Sequence, residues 1–174
     1  MQNKRCWISI DIETDGLIPC QYSMISIGAV VVDKKLDKRF YTQLKPISNS
    51  YNQEALSISG FSREETLNFK EPKEAMQEFK EWLKKVCKYK PYFISDNNGF
   101  DWQFINWYFI YFIGENPFGY NSSNLRSLYQ GLNRDFNSNF KHLRETKHTH
   151  NALDDAIGNA EAILAIQKEF NIKL

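Results

Sequence analysis

The chain has 174 residues, 42% hydrophobic and 25% charged, which suits one domain (1–174) with a single core and excludes a disordered chain. Twenty-two basic residues balance twenty-one acidic ones, and a net charge of +1 neither calls for nor excludes a polyanionic partner. Three distant cysteines, Cys6, Cys20 and Cys87, contain no CxxC pair and indicate neither a zinc knuckle nor a disulfide framework.

Lys4 and Arg5 precede only a few apolar residues, too short for a signal-peptide core. Residues 6–10 read as a buried strand entering an acidic stretch. Residues 24–32, "MISIGAVVV", and the alternating residues 39–44 read as strands joined by the charged turn 33–38. A small helix is expected at 53–58. Residues 74–86 place Ala75, Met76, Phe79, Leu83 and Val86 on one helical face. A short buried strand follows at 92–95. Residues 101–113 are apolar nearly all round and read as a helix buried on more than one side. Their aromatic surface also raises a homodimer contact, since aromatics are enriched at interfaces. The longest apolar run, 104–113, is well short of a membrane span. Residues 152–170 carry a further helical face. No membrane partner is expected, and a reducing cytoplasm is the default location. The order of elements describes an α/β fold with a mixed sheet flanked by helices.

The stretch "DIETDG", residues 11–16, places three acids in alternation before a glycine. A calcium loop of the EF-hand type would need a chelating Glu at its twelfth position, where Tyr22 stands, and a preceding helix rather than a strand. Asp15-Gly16 is a common turn signal. Asp11 and Glu13 fit a turn less well, because alternation puts both on one side of a continuing strand, where two carboxylates repel. Two later segments carry similar chemistry. "SDNNGFDWQFIN", residues 95–106, sets Asp101 at a loop-to-helix junction. "HTHNALDDA", residues 148–156, sets His150 just before a helix and Asp155 in its first turns. Taken singly, each is explained by helix-start chemistry, with Asn151 as a cap.

Together, in this order, the three segments resemble the motifs of the DEDDh exonucleases, the DnaQ-like 3′–5′ exonuclease family of the ribonuclease H-like fold. DxETxG is "DIETDG", NxxFDxxF is "NNGFDWQF", and the H-x4-D motif is "HNALDD". Residues 52–65 also resemble the family between its first two motifs, so the likeness covers nearly the whole chain. His148 and Asp154 fall outside the H-x4-D spacing and are not carried over. One departure is Asp96, where many members carry His.

The resemblance implies a metal-dependent 3′–5′ exonuclease acting on a DNA or RNA 3′ end, single-stranded by expectation, and releasing nucleoside 5′-monophosphates. Asp11, Glu13, Asp101 and Asp155 would hold two divalent cations, Mg²⁺ or Mn²⁺, with Asp11 bridging them. Such oxygen-only donors suit hard ions. His150 would be the general base, its ordinary pKa of roughly 6.5 lying near working pH. Thr14 would hold the 3′-hydroxyl, Leu17 the terminal base, and Asn97 either the loop or the substrate. Phe104 is read as core, with base stacking as its second role. Lys141, Arg144 and Lys147 offer a basic segment for phosphates. The alternative is an inactive nucleic-acid-binding or interaction module of the same fold.

Overall fold

Three strands open the chain as expected, in a computed structural model that describes residues 5–173; Lys4, part of the leader reading, lies outside them. They are β1 (Cys6–Thr14), β2 (Met24–Val31) and β3 (Arg39–Gln43). Two short helices, α1 (Gln53–Ile58) and α2 (Arg63–Thr66), precede the long α3 (Pro72–Val86). Then come β4 (Pro91–Ser95), α4 (Asn98–Ile113), β5 (Ser122–Asn124), α5 (Leu125–Asn133) and α6 (Ala152–Glu169). The sequence reading ended the first strand four residues early and lacked α2, β5 and α5.

The sheet order is β3-β2-β1-β4-β5. The first three strands are antiparallel neighbours, whereas β1–β4 and β4–β5 are parallel, so the sheet is mixed. Alternation along β1 decides the rest. Ile8, Ile10 and Ile12 join the buried core with Phe79, Leu83, Phe104 and Phe109 of α3 and α4. Burying each such side chain contributes roughly 1.5–3 kcal/mol, which locks the strand's register. Ser9, Asp11 and Glu13 must therefore face the other layer, and the Ser9 hydroxyl donates to the Ala156 carbonyl of α6 at 2.8 Å. That layer has its own core of Ile94, Leu125, Tyr129, Phe140, Ile163 and Ile166.

Helix α4 is mostly a core helix, as its composition predicted, with Phe104, Ile105, Tyr108 and Phe109 buried. The Tyr108 hydroxyl accepts the Met24 N–H at 2.8 Å, so its burial leaves no orphaned group. Ile110 and Tyr111 remain exposed. Against expectation, Cys6 and Cys87 form a disulfide that ties the start of β1 to the end of α3. The separation of 81 positions hides this proximity from a spacing argument. Among the described residues no helix is long and apolar enough to cross a membrane.

Candidate active site

Ligands in open α/β sheets gather beyond the carboxyl ends of parallel strands, and the acidic residues meet at the ends of β1 and β4. Asp11 and Glu13 lie on β1, and β4 leads through Asp96 into α4, whose first turn holds Asp101. Asp155 comes from the first turn of α6. Asn151 caps that helix, its side-chain oxygen accepting the Leu153 and Asp154 N–H groups at 3.0 and 3.3 Å. Carboxylate oxygens of Asp11, Glu13 and Asp155 all lie within 4.8 Å of one another. Asp101, only 3% exposed, is outside that set, but its charge acts on both Asp11 and Glu13.

Burial, then the neighbouring carboxylates Asp101, Glu13 and Asp155, holds the Asp11 pKa well above the usual range, and Arg144 pulls weakly the other way. Burial first, then Asp155 and Asp101, raises Glu13 to about 8. Asp101 rises to about 7, mainly through burial, with Asp96 adding to it. Asp101 Oδ2 and Asp155 Oδ2 are buried without a hydrogen-bond partner. Buried, mutually repelling oxygens with open lone pairs fit divalent cations, and these four residues could hold them.

Gly28 makes the arrangement sterically feasible, and sequence reasoning passed over it inside an apolar strand. It pairs with Asp11 across the β1–β2 ladder. A Cβ there would lie 2.1 Å from the backbone of Ala152, at the start of α6. The bare backbone thus lets the helix carrying Asp155 settle against the strand beside Asp11. Gly28→Ala is expected to push α6 outward, lowering the melting temperature by several degrees (overpacking costs about 1–3 kcal/mol). Nuclease activity should fall roughly 10²-fold, because an ångström of misplacement has that effect. Thermal melts and a metal titration of activity would check both.

His150 sits in a left-handed conformation, φ +57°, immediately before Asn151. This reverses the chain and brings His148 back over the site. His148 Nδ1 lies 2.6 Å from Asp155 Oδ1, and the two imidazole rings are 4.3 Å apart. The H-x4-D spacing leaves His148 out, because the contact depends on a backbone turn that spacing does not encode.

The flanking residues divide. Asp15 is not a solvated turn residue. It is fully buried, accepting the Ser23 N–H at 2.5 Å and pairing with Arg63 at 2.9 Å. Thr14 is buried and its hydroxyl donates to the Gly16 carbonyl at 2.8 Å. Leu17 is 73% exposed, and Gln103 Nε2 donates to its carbonyl at 3.1 Å. With Gly16, Tyr22, Asn52, Glu54, Ala55 and Ile58 it lines a cleft of about 250 Å³. Ile58 and Gln103 carry no motif letter, so their place beside Leu17 is not legible in the sequence. Asn97 is exposed at the start of α4 and makes no side-chain cap bond. Phe104 is fully buried against the strand core, so it has no ring face to offer a base. Arg144 does not track phosphates either. It is buried between Asp96 (3.4 Å), Asp155 (3.8 Å) and the Asn159 side chain. Asp96, the departure from the family pattern, therefore ends β4 as the partner of an inward-facing arginine.

A family model described as Exonuclease (RNase_T) matches residues 8–163. The chain belongs to this family, the DEDDh or DnaQ-like 3′–5′ exonucleases with a ribonuclease H-like fold. It is 37% identical over 179 residues to the 3′–5′ DNA exonuclease Cap18 of Escherichia coli, covering 95% of this chain and 94% of that protein. Among solved structures, the nuclease domain of 3′hExo bound to rAMP matches with a TM-score of 0.73 at 15% identity, over 95% of this chain and 92% of that one. E. coli exonuclease I in complex with a dT13 oligonucleotide matches at 0.74 and 16% identity, over 94% of this chain and 41% of that one. At these identities the solved structures speak for the fold alone.

Proposed function

We propose that this exonuclease trims single-stranded DNA from its 3′ end, releasing nucleoside 5′-monophosphates, and that residues 1–174 form one catalytic domain. The reading is carried by one observation: the mutual 4.8 Å approach of Asp11, Glu13 and Asp155 beside the buried Asp101. Preference for DNA over RNA draws on the relative named as a DNA exonuclease.

In this reading Asp11, Glu13, Asp101 and Asp155 hold two divalent ions, Mg²⁺ or Mn²⁺. When bound, such ions neutralise the scissile phosphate and lower the pKa of water. Exposed at the rim, His150 takes the proton of the attacking water as its oxygen bonds to phosphorus. The bond from phosphorus to the 3′-oxygen of the preceding nucleotide breaks, that oxygen takes a proton from solvent, and His150 returns its proton to solvent. The Leu17–Ile58 cleft receives the terminal base through apolar contact that is indifferent to base identity.

The test is a 5′-labelled DNA or RNA strand, single or paired, incubated with Mg²⁺ or Mn²⁺ and with an EDTA control. A descending ladder, fastest on single-stranded DNA and absent in EDTA, is expected. Binding with no ladder on any strand would favour the inactive module instead.

A further inference from the structure

Asp155 stands at a seam between two donor sets of opposite chemistry. Toward β1 it meets Asp11 and Glu13, an all-oxygen set. It also meets His148 and His150, and one ligand atom from each of these three residues lies within 4.8 Å of the others. We propose that His148, His150 and Asp155 form a second metal site, one that takes Zn²⁺ and shuts down the acid centre beside it.

Three observations carry this. The first is the donor set. Two imidazoles and a carboxylate suit Zn²⁺, with bonds near 2.0–2.2 Å, whereas Mg²⁺ prefers oxygen. In a tetrahedral site such bonds put donor atoms about 3.3 Å apart. Small ring rotations span that difference, because both histidines are exposed and no core packing fixes them. The second is the anchor. Asp155 is 1% exposed and held in the first turn of a capped helix, and its Oδ2 has no partner. The third is the chain path, since the left-handed His150 folds residues 148–150 so that two imidazoles two positions apart converge on one carboxylate. Solvent remains on the outer side, which leaves room for a water as fourth ligand.

The consequence follows from sharing. Zinc in this site engages the nitrogen lone pair of His150 and an oxygen of Asp155 together. It thereby withdraws the proton acceptor and one carboxylate from the oxygen-only centre. This inhibitory half rests on the roles proposed above for His150 and Asp155; the binding half does not.

Two measurements on the full chain decide it. In millimolar Mg²⁺, isothermal titration with Zn²⁺ should show one tight site in the unaltered protein. That site should be weaker by about tenfold or more in His148→Ala, since loss of even an outer partner of a metal ligand weakens binding 10–100-fold. Cys20→Ser, which removes the exposed free thiol, should bind zinc unchanged. The concentration of Zn²⁺ that halves DNA trimming should rise by a similar factor in His148→Ala, each protein normalised to its own zinc-free rate. Equal zinc affinity in the two proteins would overturn the site. Lost affinity with equal inhibition would overturn its control of the acid centre. Should the unaltered chain trim nothing in Mg²⁺, the proposed function fails, while the titration still decides the site.

Discussion

Asp11→Asn is expected to abolish trimming while leaving the metal-free protein as stable as the unaltered chain, or more so. Asp11 is the most crowded of the four acids: its pKa is raised by burial and by three carboxylates, with only Arg144 opposing. The amide keeps the shape and removes the charge, so repulsion falls while cation binding is lost. The same physics sets a pH dependence. Glu13 rises from its ordinary 4.5 to about 8 on folding. Below pH 4.5 both folded and unfolded chains hold its proton, and there is no penalty. Between 4.5 and 8 the unfolded chain has released a proton that the folded chain retains, so stability falls as pH rises. Each pKa unit is worth about 1.4 kcal/mol, and the metal-free melting temperature should drop on the order of 10 °C across that window. Saturating Mg²⁺ or Mn²⁺ should restore it at pH 8 by binding the folded state, and Asp11→Asn should flatten the slope. Melts at pH 5, 6, 7 and 8, with EDTA or metal, test all of this. A large loss of melting temperature for Asp11→Asn in EDTA would make Asp11 a structural residue instead.

His150→Asn is expected to lower turnover by roughly 10²–10⁴-fold, the usual contribution of a positioned general base. The affinity for a 3′ end should barely change. Asn is chosen because it tolerates the left-handed conformation that His150 adopts; His150→Ala adds a small backbone cost. Since His150 is exposed, neither variant should shift the melting temperature by more than a degree or two. Single-turnover rates measured beside equilibrium binding separate the two effects. Turnover equal to that of the unaltered chain would remove His150 from the reaction, and a parallel loss of binding would make it a substrate contact.

The four acids were legible only as a set: singly each segment has a local explanation, and the three motifs in order carried the family resemblance. The mixed sheet followed from hydrophobic periodicity. What escaped notice was set by distance along the chain. Asp15 read as a turn because its partner Arg63 lies 48 residues away. Arg144 read as a surface charge because Asp96 and Asn159 flank it only in the folded chain. Three-residue β5 is polar and too short to show a period. By contrast, α5 carries Leu125, Leu128, Tyr129 and Leu132 at helical spacing and was visible in principle. Gly28 could not be read at all, since its importance lies in the Ala152 backbone pressed against it.

Besides its close seat on Gly28 of β2, α6 is bonded to β1, and this joins the two ends of the chain. Ser9 and Ala156, joined by a hydrogen bond, are 147 positions apart. Closing so long a loop costs more entropy than closing a short one, and topologies rich in such contacts fold slowly. The β1–β2 ladder needs nothing from α6, but the cluster of Asp11, Glu13 and Asp155 does. The cluster of Asp11, Glu13 and Asp155 therefore exists only in a chain whose two ends have met.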